Sequence, residues 1–430
     1  MLKRDYTVKY DDIFSNQTPR QLAKFLSGDV DTDKLDEDII VNYNYDPIHE
    51  LLEENTLENF SKGELGEVGD ILLTGVTGFL GIHILYEYLK SETGTAYCML
   101  RKGRYNSCMD RLVDLMNYYF DEDLTDLIDS RVILSEGDIT EIDDFKKLGE
   151  YSIDTIINCA AMVKHYTHDD YIFKVNVDGV INGLKFAQSN NAKYIQISTV
   201  SVLAPPLDEE LEDEIKYDER TFYYGQDLTN KYVNSKFLAE RMVLEEAVNG
   251  VHAKVVRVGN LMGRYSDGVF QQNYDTNAFL NNIKAVKNIK AISNAMSRDE
   301  VEMSPIDYVA KAVLKLSKTP EECRVFNCQN NNIISNKEIV DALNTFDYGI
   351  EKVSDDEFRE ICMQNMDENI QGLITADLSI DEVDDESFED VVDTNQTVNI
   401  LHQLGLDWPK PDEQYLIRLI KYLNKFDFFK

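Results

Sequence analysis

Short apolar runs alternate with longer amphipathic stretches between residues 70 and 258. The apolar runs predict buried strands, at residues 70–74, 96–100, 131–134, 155–158, 194–198 and 255–258. Helical patterns separate these strands, with apolar positions every three or four residues, at 82–89, 111–120, 171–187 and 232–248. Buried strands that alternate with helices predict an α/β fold with a doubly wound parallel sheet.

The pattern changes after residue 265. The stretch 266–430 is mainly helical and acidic and ends in an amphipathic segment at 415–426. We therefore expect a sheet domain over 66–265 and a smaller, mainly helical domain over 266–430, with later strands able to cross back to the sheet. Residues 28–65 are expected to form a linker and a lead-in helix, and residues 1–27 contain a further amphipathic helix.

Charge and composition narrow the classes of function. The formal net charge is −36, which creates a field that repels nucleic acids and anionic membranes. No apolar run approaches the ~18 residues that a membrane-spanning helix needs, and the first residues lack the apolar core of a secretory signal. The six cysteines show no paired spacing and are expected to be reduced thiols. These features predict a cytoplasmic protein with no nucleic-acid, membrane or metal partner.

A glycine-rich turn follows the first strand and opens a helix, in the sequence T-G-V-T-G-F-L-G at 74–81. The first glycine permits a tight turn, the second lets the backbone approach a pyrophosphate, and the third lets the helix pack on the strand. This strand–turn–helix context predicts a Rossmann-type dinucleotide site. The candidate contacts share the backbone path around the pyrophosphate: Gly75, Thr77, Gly78, Phe79, Leu80 and Gly81.

The end of the second strand indicates which dinucleotide is bound. NAD enzymes usually place an acid there for the ribose hydroxyls, whereas this chain has Arg101, followed by Lys102. A guanidinium grips phosphate oxygens in pairs, so the sequence predicts NADPH, with Arg101 on the 2′-phosphate and Arg111 in support.

Two further strand ends are candidate cofactor contacts. Asp138 and Ile139 follow the third strand, beside the expected adenine, where Asp138 would accept from the adenine amine. Ala160 and Ala161 follow the fourth strand, and their small side chains would let the cofactor lie against the backbone.

The candidate catalytic residues lie after the fifth strand. Tyr232 and Lys236 are four residues apart, which puts both on one face of a helix. The ammonium is expected to lower the pKa of the phenol, so that Tyr232 gives a proton to a substrate carbonyl. Thr199 ends the fifth strand and is the preferred donor that orients the carbonyl, with Ser198 and Ser201 as alternatives.

Together these motifs resemble the extended short-chain dehydrogenase/reductase superfamily, and more closely its thioester-reductase branch, the terminal reductase domains of nonribosomal peptide synthetases and carboxylic acid reductases. The resemblance covers roughly residues 45–430 and includes the long insertion at 104–128, R-V-G-N-L-M-G-R at 257–264 and S-P-I-D-Y-V-A-K-A at 304–312. It implies that Thr199, Tyr232 and Lys236 form the catalytic triad. It also implies that Lys236 holds the nicotinamide ribose, that Asn176 supports the site and that Asn260 lies near the cofactor.

The resemblance extends to the start of the chain, where the helix within residues 1–27 is similar to the last helix of a carrier domain, without the serine motif that attaches pantetheine. It implies an upstream carrier domain as partner and 266–430 as the substrate-binding domain. The implied reaction is NADPH-dependent release of a pantetheine-bound acyl or peptidyl thioester as an aldehyde. A second reduction to the alcohol is left open.

Other functions predict different features. A nucleotide-sugar epimerase or dehydratase would place an acid after the second strand, an acyl-CoA reductase would need no carrier, and an NADP-binding sensor would lack the Tyr–Lys pair. A serine hydrolase would need a GxSxG elbow, which does not occur. His165 and His168 are three residues apart beside two aspartates, but no third cluster of ligands accompanies them, so no metal site is expected.

Overall fold

The computed structural model describes residues 40–163, 170–206, 217–365 and 392–429. The predicted helix within residues 1–27, the start of the predicted linker and most of the acidic run at 381–393 lie outside these residues. The strands, in chain order, are β1 Ile71–Thr74, β2 Ala96–Leu100, β3 Val132–Glu136, β4 Thr155–Asn158, β5 Lys193–Thr199, β6 Ala253–Val258, β7 Leu261–Met262, β8 Ala291–Ile292, β9 Glu300–Val301, β10 Ser304–Pro305, β11 Val325–Cys328, β12 Ile334–Ser335 and β13 Glu351–Lys352.

Helices follow most of these strands. They are α1 Asp46–Leu52, α2 Leu57–Lys62, α3 Phe79–Ser91, α4 Cys108–Tyr119, α5 Thr125–Arg131, α6 Ile142–Lys146, α7 Tyr171–Phe173, α8 Gly179–Asn190, α9 Lys231–Val248, α10 Ala278–Ile289, α11 Ile306–Leu316, α12 Asn336–Asn344, α13 Asp355–Gln364, α14 Asn395–Gln403 and α15 Glu413–Asn424. A π-helical turn, Lys174–Asp178, connects α7 with α8. None of the described helices is both long and apolar enough to cross a membrane.

Seven strands form one parallel sheet in the order β11-β6-β5-β4-β1-β2-β3. The predicted α/β fold with a doubly wound parallel sheet is thereby confirmed, and the six predicted strands are each present within one or two residues at either end. Because all seven strands run in the same direction, their carboxyl ends meet at one edge, where ligands bind in such sheets.

The seventh strand, β11, comes from the region predicted to be mainly helical. It pairs with β6 from Val325↔Val255 to Cys328↔Val258. Helix α11 also packs closely against α3, beside the first strand. The sheet and the helices packed on it therefore contain residues from both sides of residue 265, the boundary expected from the change in pattern. Pairing with β11 covers the edge of β6 that would otherwise be exposed.

Apolar side chains on the two faces of the sheet enter separate cores. In β1, Ile71 and Leu73 pack on one side with residues of α3, α4 and α11, whereas Leu72 packs on the other side with residues of α8 and α9. A third core joins α10, α12, α13 and α15 in the C-terminal part. This arrangement leaves the carboxyl edge of the sheet as the place for a site.

Candidate active site

The glycine-rich turn connects β1 to α3 as predicted. Gly75 has φ +69°, and a Cβ there would lie 2.5 Å from the backbone nitrogen of Ala160, so only glycine fits this turn. A Cβ on Gly81 would collide with the carbonyl oxygen of Gly75. Gly78 caps α3 without a side-chain hydrogen bond, which leaves the first N–H groups of this 13-residue helix as donors for an anion.

The other residues of this turn have different surroundings. Leu80 is buried in the core below α3, so only its backbone is left for a ligand. Thr77 is half-buried. The ring of Phe79 packs at 5.5 Å from the ring of Phe270, which belongs to the C-terminal part of the chain. The turn therefore packs against the segment that follows β7.

An open pocket of about 410 Å³ lies at the carboxyl ends of β2 and β3. Its lining contains two cations and three carboxylates, namely Arg101, Lys147, Glu136, Asp138 and Asp144, together with Gly137. This is the place at which the sequence predicts the 2′-phosphate and the adenine. Lys147 was not among the predicted residues, since nothing in its local sequence marks it as part of a pocket.

Charged side chains in this pocket pair with one another. Arg101 lies 3.3 Å from Asp138, and its side chain is 70% exposed. An ion pair this exposed contributes at most about 1 kcal/mol, so Arg101 can exchange Asp138 for another anion. The guanidinium of Arg111 donates to the backbone carbonyl of Arg101. Arg111 thus fixes the backbone of Arg101 and does not itself line the pocket.

Four other predicted contacts lie along the carboxyl edge. Ile139 is buried and packs against Gly179 of α8, so closely that a Cβ there would meet its side chain. Ala160 and Ala161 are half-buried beyond β4, with the backbone of Ala160 against Gly75. Asn260 is exposed, two residues beyond the end of β6.

The structure brings Thr199, Tyr232 and Lys236 together at the same edge. Thr199 is the last residue of β5, and Tyr232 lies in the first turn of α9 with Lys236 one turn later. Tyr232 is 8% exposed and Lys236 is 3% exposed. The ammonium of Lys236 donates to the carbonyl oxygen of Ile197 at 2.6 Å, and the Thr199 hydroxyl donates to Ser201 Oγ at 3.0 Å.

Burial dominates the pKa values of this pair. It raises the pKa of Tyr232 to about 12, and a hydrogen bond with Thr199 offsets only part of that rise. It lowers the pKa of Lys236 to about 8, against the opposing charges of Glu240 and Cys159. The expected lowering of the Tyr232 pKa by Lys236 is therefore wrong for the protein alone. Removal of water destabilises the phenolate by more than the neighbouring groups stabilise it.

Hydrogen bonds of Asn176, Ser235 and Asn230 fix the first turn of α9. Asn176, in the π-helical turn, donates to Ser235 Oγ at 2.9 Å and to the carbonyl of Met162 at 3.0 Å. Ser235 in turn donates to the carbonyl of Tyr232 at 2.8 Å, and Asn230 caps the helix by accepting from the Tyr232 N–H at 2.9 Å. Sequence reasoning missed Ser235 and Asn230, although both lie within five residues of Tyr232.

A chain of buried side chains crosses three strands below the site. Thr74 donates to Asn158, Asn158 donates to Gln196 at 2.9 Å, and Gln196 donates to the carbonyl of Ile197 at 2.8 Å. Ile197 thus accepts from both Gln196 and Lys236. The sequence signal for this series of hydrogen bonds is the presence of polar residues inside otherwise apolar strands.

The two histidines that the sequence places three residues apart, His165 and His168, lie outside the described residues, as does Asp169. Among the residues that the structure describes, no group of three His, Cys, Asp or Glu side chains is arranged to hold a metal ion. Ser198 is buried, and within the described part its hydroxyl has no hydrogen-bond partner.

A family profile and several known proteins are similar to this chain. The profile of the Male sterility protein family, an NAD-binding domain, matches residues 73–313. A solved thiolation-reductase di-domain from an archaeal nonribosomal peptide synthetase is 65% identical, with a TM-score of 0.91, covering 99% of this chain and 89% of that one. Glycine betaine reductase ATRR of Emericella nidulans is 26% identical over 68% of this chain, and a linear gramicidin synthase of Brevibacillus parabrevis is 24% identical over 85%.

The curated relatives are much longer than this chain, which spans 23% of the glycine betaine reductase and 7% of the gramicidin synthase. The residues matched by the family profile include the phosphate turn, the candidate triad and the segment after β6. The chain therefore belongs to the Male sterility family of NAD(P)-binding oxidoreductase domains, within the extended short-chain dehydrogenase/reductase superfamily, together with the terminal reductase domains of nonribosomal peptide synthetases.

Proposed function

We propose that this chain uses NADPH to release an acyl or peptidyl thioester from the pantetheine arm of a carrier domain as an aldehyde. The observation that carries the proposal is the buried trio of Thr199, Tyr232 and Lys236 at the same sheet edge as the phosphate turn. A thioester carbonyl that is to accept hydride needs a proton donor of this kind beside a dinucleotide site.

The strand order supports binding of an extended dinucleotide. The pocket at β2 and β3 lies on one side of β1, and the trio at β5 lies on the other, with β4 between. Neighbouring strands are about 4.8 Å apart, so β2 and β5 are separated by roughly 14 Å. A dinucleotide with its adenosine end at β2 and β3 would pass its pyrophosphate over the turn at Gly75–Gly78 and bring its nicotinamide to Tyr232.

The proposal of NADPH rather than NADH rests on Arg101 and Lys147. Both cations line the pocket where the adenosine ribose would lie. Arg101 can leave its exposed pair with Asp138 to grip a 2′-phosphate, and Asp138 would then be free to accept from the adenine amine. The hydrogen bond from Arg111 to the backbone of Arg101 would keep this cation at the mouth of the pocket.

NADPH, when bound, supplies the hydride for the thioester carbon. Burial keeps Tyr232 protonated at neutral pH, so its hydroxyl can give the carbonyl oxygen a proton as negative charge develops there. Thr199 would donate a hydrogen bond to the same oxygen, in the manner of an oxyanion hole. The resulting hemithioacetal then loses its hydroxyl proton as the C–S bond breaks, the pantetheine sulfur takes up a proton and leaves as a thiol, and the aldehyde is released. Lys236, anchored on Ile197, would orient the nicotinamide ribose.

The tethered substrate is supported by two observations. The similar archaeal chain is described as a thiolation-reductase di-domain, and residues 1–27 of this chain are similar to the end of a carrier domain. The deciding experiment is mass spectrometry of products from a panel of carrier-linked and CoA-linked thioesters with NADPH. Aldehyde or alcohol products support the proposal, whereas no reduction of any thioester contradicts it.

A further inference from the structure

A buried carboxylate joins three chain segments beside the crevice. Glu302 is 1% exposed. One carboxylate oxygen accepts from the N–H of Asn260 at 2.5 Å. The other accepts from the hydroxyl of Ser304 at 2.5 Å and from the N–H of Asn330 at 3.2 Å, and this N–H also donates to Ser304 Oγ at 3.0 Å. Asn260 follows β6 and Asn330 follows β11. Glu302 thus ties together the carboxyl ends of two neighbouring strands.

The segment that Glu302 holds runs next to the candidate catalytic threonine. Val258, the last residue of β6, pairs with Thr199, and the chain then continues through Gly259 to Asn260. A Cβ on Gly259 would lie 2.5 Å from a carboxylate oxygen of Glu302. The carbonyl of Asn260 accepts from the N–H of Ser304 at 2.9 Å. The path of this segment is therefore fixed on both sides, while the side chain of Asn260 remains exposed.

We propose that Glu302 is a positioning residue for the nicotinamide half of the cofactor site. The inference rests on the proposed function. By holding the N–H of Asn260, Glu302 fixes the wall that continues from Thr199 and against which the nicotinamide end would lie. The adenosine half would bind at β2 and β3, which lie beyond β1 in the strand order, so Glu302 should act on one half of the cofactor only.

An isosteric amide does not reproduce this pattern of acceptors. Two backbone N–H groups and one hydroxyl approach Glu302 as donors, and the N–H of Asn330 has a second acceptor in Ser304 Oγ at 3.0 Å. A glutamine has one acceptor oxygen and one NH₂ group that donates. If its oxygen faces Ser304, the NH₂ group faces the N–H of Asn260. If its oxygen faces Asn260, the hydroxyl of Ser304 must turn away from the NH₂ group, and Asn330 keeps only Ser304 Oγ as acceptor. Glu302→Gln therefore preserves volume but weakens the attachment of one of the two strand ends.

The test compares two ligands on the full chain by calorimetric titration. NADPH probes both halves of the site, whereas adenosine 2′,5′-bisphosphate probes only the adenosine half. We expect Glu302→Gln to lower the affinity for NADPH by about tenfold or more and to leave the affinity for the bisphosphate unchanged. Equal weakening of both ligands would reveal a merely structural role and overturn the inference, and so would an unchanged affinity for NADPH.

A second buried carboxylate provides a matched control. Glu219 is 2% exposed and accepts from the N–H and hydroxyl of Thr397 in α14. Glu219→Gln should leave both affinities unchanged, and a tenfold loss of NADPH binding alone in this variant would overturn the assignment to Glu302. If Glu302→Gln fails to fold, Ser304→Ala takes its place, because it removes one hydrogen-bond partner of the carboxylate. This variant is expected to lower the affinity for NADPH by about threefold and to leave the affinity for the bisphosphate unchanged.

The same titrations separate the two proposals. If the wild-type chain binds neither NADPH nor the bisphosphate, the proposed function fails and this inference falls with it. If the wild type binds both ligands and Glu302→Gln behaves like the wild type, only the role of Glu302 is refuted.

Discussion

The ammonium of Lys236 donates a 2.6 Å hydrogen bond to the carbonyl oxygen of Ile197. This bond fixes the lysine to the strand that also presents Thr199, so Thr199, Tyr232 and Lys236 are connected through β5 and α9. Gln196 donates to the same carbonyl at 2.8 Å, which restricts the direction in which the lysine can approach.

Removing the hydroxyl of Tyr232 should stop the chemistry. We expect Tyr232→Phe to lower turnover by roughly 100-fold or more, since general acid catalysis by one side chain contributes about that much, with NADPH affinity nearly intact. Steady-state kinetics and a fluorescence titration of NADPH measure both quantities. Tyr223→Phe is the matched control, because Tyr223 stacks on Tyr45 at 4.4 Å outside the trio. Near-normal turnover in Tyr232→Phe would refute the assignment.

The rate should depend on the protonation of Lys236. Burial lowers the pKa of its ammonium to about 8, so the charged form is present below that pH and is lost as pH rises through it. We expect kcat/KM to be flat near neutrality and to fall above about pH 8, because kcat/KM reports the groups of the free enzyme. A profile that stays flat to about pH 10 would contradict the role of the ammonium.

Cofactor preference should depend on Arg101. Loss of a charged partner of a phosphate costs roughly 1.5–3 kcal/mol of binding free energy. Arg101→Ala should therefore lower the affinity for NADPH by about tenfold or more and change the affinity for NADH little. Arg104→Ala is the control, since Arg104 is an exposed arginine three residues away that does not line the pocket. Titration of both cofactors into the three proteins measures the effect. Equal weakening of NADPH and NADH, or a wild-type preference for NADH, would contradict the proposal.

A carrier domain attached in cis should accelerate reduction. Tethering raises the effective concentration of a substrate to around millimolar, so the reductase need not bind the pantetheine arm tightly. We expect a chain extended with its loaded upstream carrier to react much faster than this chain supplied with micromolar CoA thioester of the same acyl group. Equal rates would favour the acyl-CoA reductase alternative.

The stability of the protein should respond to pH through Glu219. Burial raises the pKa of this carboxyl to about 7, above its value of roughly 4.3 in an unfolded chain. The folded state then binds the extra proton, so this contribution to stability is complete below about pH 4.3 and is lost as pH rises through about 7. The size is on the order of 3 kcal/mol.

The Glu219→Gln variant isolates this contribution because its amide does not titrate. Urea unfolding of both proteins between about pH 5 and 8 gives the difference in the free energy of unfolding at each pH. As pH rises, the wild type should lose free energy of unfolding that the variant keeps, so we expect the variant to become more stable relative to the wild type. A difference that is constant across this range would show that Glu219 does not titrate as described.

Local sequence patterns predict the first six sheet strands because buried parallel strands need continuous apolar runs. They miss β11, because Val325–Cys328 lies in the region whose overall pattern is helical and its pairing with β6 joins residues distant in the chain. The spacing of Tyr232 and Lys236 predicts that they share a helix face. It does not reveal their burial, which sets their pKa values and comes from tertiary packing. Glu302 and Lys147 likewise carry no local signature.

The late arrival of β11 has a consequence for how the chain acquires its structure during synthesis. Until residues 325–328 have left the ribosome, β6 presents an unpaired apolar edge, and such edges recruit other strands. Lys254, buried in β6, also lacks its acceptors until then, because its ammonium donates to the carbonyls of Pro320 and Cys323 at 2.6 Å each. The sheet that carries the candidate cofactor site is thus completed only after β11 has been made, and a fragment ending near residue 265 should self-associate.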